Sequence, residues 1–328
     1  MATLELFFRE TTSEANLMVC YEETNPQDVP PEVVETVLSG FFPKIRRKEA
    51  VFLYHGTYNV FEVKQQYIFR FPDKSFFNRK GFDLIHRENE ALNLLRSYFS
   101  FEVPQFLYLP SDPQLPFVGY KKIPGVSLSR CFNKATSDKK MGLAKQLGRF
   151  LSELHSPEVY QAFTAKWPTE FTPSTYRSYI EKFYLEIRNK LYSHFSPAQK
   201  KWTTNLFTNF LEDLSNFRFI PRVTHRDLDT TNILVDPVSF RVTGIIDFEE
   251  VAVWDPAQDF PFYDEGLDFL EQVLVNYSGS VGSNFQQRLH YVWNRVPLIY
   301  LLTGLELKYS RMIEAGFEML KEKMKTSH

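Results

Sequence analysis

The chain predicts an α+β fold, with an antiparallel, strand-rich first half and a mainly helical second half. Three observations carry this. Short β-rich runs separated by turn residues lie between Val51 and Phe71. Apolar residues recur at helical spacing from Leu143 onward, and a small β-branched block between Val223 and Ile246 interrupts them. At 328 residues, with 43% hydrophobic and 24% charged side chains, the chain is long enough for one large domain or two lobes sharing a cleft.

Residues 1–30 are polar and end in Asn25-Pro26-Gln27-Asp28-Val29-Pro30-Pro31, where successive prolines remove donors and disfavour helix, so this stretch reads as an extension before the main fold. Val33, Val34, Val37 and Leu38 predict a short helix. Strands are expected over Val51–Tyr54, Asn59–Val63 and Tyr67–Phe71, broken at Gly56 and at Gln65-Gln66. Ile85, Leu92 and Leu95 predict a helix over Leu84–Tyr98, and extended sequence follows Pro104 as far as Lys121. The expected boundary between the halves is therefore 31–122 against 123–328. Beyond Pro124-Gly125, Leu143, Leu147, Phe150, Leu151 and Leu154 form one helical series, and Tyr176, Tyr179, Ile180, Phe183, Tyr184 and Ile187 another. Val223-Thr224, Ile233–Val235 and Val242–Ile246 are expected as short strands, with turn chemistry at Asp236-Pro237. Phe260–Val275 is expected to be helical, bringing Asp264, Asp268 and Glu271 to one face with Glu265 beside them. Such a face is either simply solvated or kept acidic to meet a cation.

A formal net charge of −2 supplies no field to gather nucleic acid or anionic membrane, and neither is expected as a partner. Cys20 and Cys131 are far apart and lack zinc-ligand spacing. Met1–Glu10 has no basic start before an apolar core, and no apolar run reaches spanning length, so a cytoplasmic location is expected.

The chemistry is concentrated in Thr224-His225-Arg226-Asp227-Leu228-Asp229-Thr230-Thr231-Asn232, followed by a strand, and in Gly244-Ile245-Ile246-Asp247, which puts a carboxylate at a strand end. Phosphoryl transfer needs this combination. A nucleotide brings several negative charges, so hard oxygen ligands must hold magnesium while another carboxylate meets the incoming hydroxyl. Asn232 and Asp247 suit the metal, and Asp227 suits the hydroxyl. Asp229 reads as a turn or cap residue.

With Asp255-Pro256-Ala257-Gln258-Asp259-Phe260 and the landmarks Pro124-Gly125 and Leu147-Gly148-Arg149-Phe150-Leu151-Ser152-Glu153-Leu154-His155, these motifs make the chain from about Glu32 onward resemble the aminoglycoside phosphotransferase family. Enzymes acting on the 2-double-prime hydroxyl are closest, and macrolide kinases are more distant. The resemblance implies a protein-kinase-like two-lobe fold, with a nucleotide-binding N-lobe over 31–122 and the catalytic loop and acceptor site in 123–328. It implies Asp227 as the catalytic carboxylate, His225 as its support, Asn232 and Asp247 as Mg2+ ligands, and GTP or ATP as the donor. His55-Gly56-Thr57-Tyr58-Asn59 falls at the nucleotide-covering loop, which a plain hairpin turn would equally explain. Arg70 stands where the family usually has a phosphate-binding lysine, a departure in donor geometry. Its expected partner is Glu88, with Glu90 second. In Phe117-Val118-Gly119-Tyr120-Lys121-Lys122, Tyr120 falls at a gatekeeping position that tends to favour GTP, or else it is ordinary packing, and Lys122 is counted with the nucleotide site. An acidic acceptor pocket around Asp264, Asp268 and Glu265, with Trp293 as its aromatic, is also implied. The acid that relatives carry after that aromatic is replaced here by Asn294-Arg295. The sequence has no D-F-G, since it reads Asp247-Phe248-Glu249, and no A-P-E, so a protein kinase is disfavoured. A kinase-shaped binding protein is the non-enzyme alternative.

Overall fold

The computed structural model describes residues 29–56, 58–74 and 76–326. Thr57 and nearly all of the expected N-terminal extension therefore lie outside the described residues. By its contacts the chain divides into two compact units. One runs to Gln146 and resumes over Asp229–Val251, and the other holds Leu147–Leu228 and the segment from Ala252 onward.

The first unit is built on a five-stranded antiparallel sheet in the order β1-β2-β3-β5-β4: Ala50–His55, Tyr58–Val63, Tyr67–Pro72, Val118–Lys121 and Phe106–Tyr108. The tight link between β2 and β3 needs left-handed backbone at Lys64 and Gln65, the second of them in the predicted turn. Helix α1 (Pro31–Phe41) starts with a proline at its first position and buries Val34, Val37 and Leu38. These side chains join Phe61, Val63, Phe69, Phe71 and Phe117 in one core. Gly119 is dictated by that packing, because a Cβ there would lie 2.7 Å from the Phe69 ring and 2.9 Å from that of Tyr108. Helix α2 (Arg79–Leu95), capped by the Asn78 side chain, buries Ile85, Glu88, Leu92 and Leu95. A three-stranded sheet, β6 (Val126–Ser127), β8 (Ile233–Val235) and β9 (Val242–Ile245), completes this unit.

Helix α3 (Ser137–Leu154) carries the chain into the second unit. There α4 (Pro157–Lys166), α5 (Pro173–Leu191) and α6 (Pro197–Glu212) each begin with proline after a Ser or Thr cap. A two-stranded ribbon pairs β7 (Arg222–Thr224) with β10 (Ala252–Trp254). Helices α7 (Leu267–Val275), α8 (Phe285–Asn294), α9 (Val296–Leu307) and α10 (Ser310–Thr326) follow. The α9 helix is apolar on nearly every face and buries seven residues from Val296 to Gly304, so it is central. Its pairing with α10 depends on small residues. A Cβ at Gly304 would sit 2.8 Å from Ile313, and one at Gly316 would sit 2.8 Å from Leu301.

One expected helix is shorter than its sequence pattern. Residues 262–265 are turns, and helix begins only at Leu267, because Gly266, immediately before it, adopts a non-helical φ of +101°. Asp264 therefore does not share a helical face with Asp268 and Glu271.

Candidate active site

In the first unit, strand β3 presents Arg70, which is 4% exposed and pairs in register with Val60 and Val118. Its guanidinium donates to Glu88 on α2, lies 3.6 Å from the Asp247 carboxylate, and stacks 4.4 Å from the Tyr58 ring. A cation so far from water requires this much compensation. Glu90 is exposed on α2, whereas Glu88 is buried. Burial, then the charge of Asp247, raises the Glu88 carboxyl to about 7 against the pull of Arg70. Burial, then Asp247 and Glu88, raises Glu249 to about 8, although Tyr58 hydrogen-bonds to it. Glu88, Asp247 and Glu249 thus gather around a single guanidinium, and burial with mutual repulsion pushes Glu88 and Glu249 towards their protonated forms, a repulsion that an added cation would relieve.

Asn232 and Asp247 are brought together by the small sheet. Ile233 pairs with Ile245, and Ile246 N donates to Asn232 O at 3.0 Å, so the two residues stand at adjacent strand ends. Both are buried, and Asp247 holds a left-handed φ of +70°. No group of three His, Cys, Asp or Glu side chains able to hold a metal occurs among the described residues. A carboxylate and an amide oxygen nevertheless fit magnesium, which commonly takes few protein ligands and completes its shell with phosphate and water. Asp229 is a turn residue, with Oδ1 accepting from Thr231 N at 2.6 Å.

On the five-stranded sheet that carries Arg70, Tyr120 is buried and stacks on Phe106 with ring centroids 5.7 Å apart. The Lys122 ammonium meets Glu62.

In the second unit, β7 delivers His225, Arg226 and Asp227 to a buried turn. Asp259 holds that turn: Oδ2 accepts from His225 N at 2.7 Å, and Oδ1 accepts from Arg226 N at 2.8 Å. Arg226 takes φ +70°, a costly conformation for a residue with a Cβ, which these two bonds enforce. His155 Nε2 adds a third contact to Asp259 Oδ2 at 3.1 Å, and its Nδ1 lies 3.0 Å from the Tyr277 hydroxyl. Since a carboxylate only accepts, Nε2 carries the proton, and in the neutral ring Nδ1 accepts from Tyr277. Gln258 Nε2 donates to Arg226 O at 3.0 Å, and Arg295 in turn donates to Gln258. The Arg226 guanidinium rests 4.5 Å over the Trp254 ring. Asp227 emerges from this frame 6% exposed.

Trp293 on α8 stacks near Tyr263, with centroids 5.1 Å apart. Asp264 is exposed in the turn between Tyr263 and Gly266, Glu265 beside it is half-buried, and Asp268 is exposed in the first turn of α7. The cation at Trp293 comes from α10: Lys323 Nζ stands 3.1 Å from the ring centroid. Arg295, in contrast, is buried against Gln258 and Tyr291.

Asp259 and Lys323 are among the residues of this arrangement that were not assigned from sequence. Asp259 lay within a motif whose position was legible but whose role was not, and Lys323 lies in an ordinary basic stretch with no signal of its own.

This fold, with a buried Arg–Glu pair beside a strand-end aspartate and a braced His-Arg-Asp turn, is that of a kinase-type phosphotransferase. The phosphotransferase enzyme family (APH) model matches residues 50–263, and the chain belongs to that family. The GDP complex of aminoglycoside 2'-phosphotransferase-IIIa is 26% identical with TM-score 0.79, over 92% of this chain and 100% of that one. The GDP and kanamycin complex of APH(2")-IIIa is 25% identical with TM-score 0.78, over 90% and 99%. Macrolide 2'-phosphotransferase MphH from Brachybacterium faecium shares the fold, at 18% identity and TM-score 0.67 over 86% and 96%. Among curated proteins, the uncharacterized protein YcbJ of Bacillus subtilis is 24% identical, covering 73% of this chain and 79% of its own length. No helix among the described residues is long and apolar enough to cross a membrane.

Proposed function

We propose that the protein transfers the γ-phosphoryl group of GTP or ATP, with magnesium, to a hydroxyl of a small amine-bearing molecule of the aminoglycoside class. The observation that carries this reading is the cluster of Arg70, Glu88 and Asp247, with Asn232 at the neighbouring strand end. Arg70 is the donor group for nucleotide phosphate, positioned by Glu88. Asn232 and Asp247 would hold magnesium, which when bound neutralises phosphate charge. Asp227 accepts the proton of the acceptor hydroxyl as that oxygen bonds to the γ-phosphorus and the bond to the β-phosphate oxygen breaks, leaving the nucleoside diphosphate. His225 supports the loop, and Tyr120 sits where purine selection occurs in the resembling enzymes, with Lys122 and Thr57 on the nucleotide side. Asp264, Asp268, Glu265 and Trp293 form the acceptor side. A soluble cytoplasmic kinase without nucleic-acid or membrane partners fits this assignment.

A macrolide or other small-molecule acceptor is the second reading, favoured by the cation already standing at Trp293. The deciding experiment measures phosphate transfer from GTP and from ATP, with and without magnesium, to a panel of aminoglycosides and macrolides. Turnover of kanamycin or gentamicin supports the first reading. Transfer to macrolides alone supports the second, and magnesium-independent hydrolysis without transfer refutes both.

A further inference from the structure

An aromatic face beside a carboxylate is a cation site, and here the cation belongs to the chain itself. Lys323 Nζ lies 3.1 Å from the Trp293 ring centroid, and Tyr263 packs beside Trp293 at 5.1 Å. Asp264 supplies the favourable charge. We propose that Lys323 is a specificity-determining residue that occupies the cation position of the acceptor side and so selects against acceptors presenting an ammonium group there. This inference rests on the assignment of Trp293 and Asp264 to the acceptor side.

The lysine is held in place by its helix. Gly304 and Gly316 lock α10 against α9, and Met312, Ala315 and Leu320 are buried. The ammonium is also desolvated, and burial lowers it to about 7 although Asp264 opposes the change. Burial, followed by the charge of Lys323, lowers neighbouring His290 as well. An ammonium largely withdrawn from water costs stability, so the arrangement is not explained by packing alone. An incoming ammonium must displace the Lys323 amine from the ring, and meets a like charge as well where that amine is protonated, whereas a neutral acceptor face meets neither obstacle.

The test compares wild type with Lys323→Met and Lys323→Arg. Kinetics are measured for kanamycin and a neutral-faced macrolide, and binding of tetramethylammonium is followed by tryptophan fluorescence. Lys323→Met is expected to lower the kanamycin KM about tenfold and to bind tetramethylammonium, while Lys323→Arg behaves as wild type. A kanamycin KM within twofold of wild type, or no probe binding by Lys323→Met, overturns the proposal. Absence of turnover on every acceptor in all three proteins would overturn the acceptor assignment beneath it. Probe binding by Lys323→Met would then identify that assignment, rather than the occupancy of the ring by Lys323, as the point of failure.

Discussion

Replacing Asp259 by asparagine should separate the brace from the chemistry. The carboxylate accepts from two backbone amides and one imidazole, at 2.7, 2.8 and 3.1 Å, with no exposure to water. Asparagine has a single acceptor oxygen, so whichever way its amide turns, the NH2 group faces a buried donor. One orphaned buried donor costs about 1–3 kcal/mol, and the remaining bonds lose their charge assistance at about 1 kcal/mol each, for a total of about 3–5 kcal/mol. In a chain of this size that lowers Tm by roughly 4–7 °C. The turn it releases holds Arg226 at φ +70° one residue before Asp227, so kcat should fall by about 10- to 100-fold through misplacement of the base. The nucleotide Kd should hold, because Arg70, Asn232 and Asp247 lie in the other unit. Calorimetric melting, nucleotide titration and steady-state kinetics on one preparation read all three quantities. A Tm within about 2 °C of wild type together with kcat within twofold would refute the reasoning.

Asp227→Asn should retain the fold and nucleotide affinity but lose about 10²- to 10⁴-fold in kcat, so near-normal turnover would remove Asp227 from the base role. Tyr120→Ala, which clears a buried ring stacked on Phe106, should raise kcat/KM for ATP relative to GTP, and an unchanged ratio would assign Tyr120 to packing alone. Lys323 gives a pH signature. Its folded pKa of about 7 lies below the ordinary 10.5, so between these values the unfolded chain binds more protons and this residue's contribution to stability rises with pH. Lys323→Met, with nothing to titrate, should therefore be most favoured over wild type near pH 6, and its advantage should shrink by about 1–2 kcal/mol towards pH 9, allowing for partial exposure. Denaturation at both pH values checks this, and a constant difference counts against a desolvated ammonium.

Local and periodic properties were legible in the residues. The antiparallel strands over Val51–Phe71, the helical series from Leu143 and from Tyr176, and the family motifs around Asp227 and Asp247 depend on neighbours a few positions apart. Turn chemistry was legible as well at Asp229, whose carboxylate accepts from Thr231 two residues on. The helix drawn from Phe260 was too long, because the acidic spacing was read through Gly266, whose non-helical backbone overrides it. Residue types and their order along the chain thus determined the fold class, the family and the loops on which the chemistry-bearing residues stand. Only the tertiary structure decided that Asp259 braces a turn more than thirty positions upstream, and that Lys323 on α10 rests on Trp293. Such contacts join residues far apart in sequence. They depend on how helices and ribbons dock, through close approaches such as Gly304 on Ile313, which no local pattern encodes.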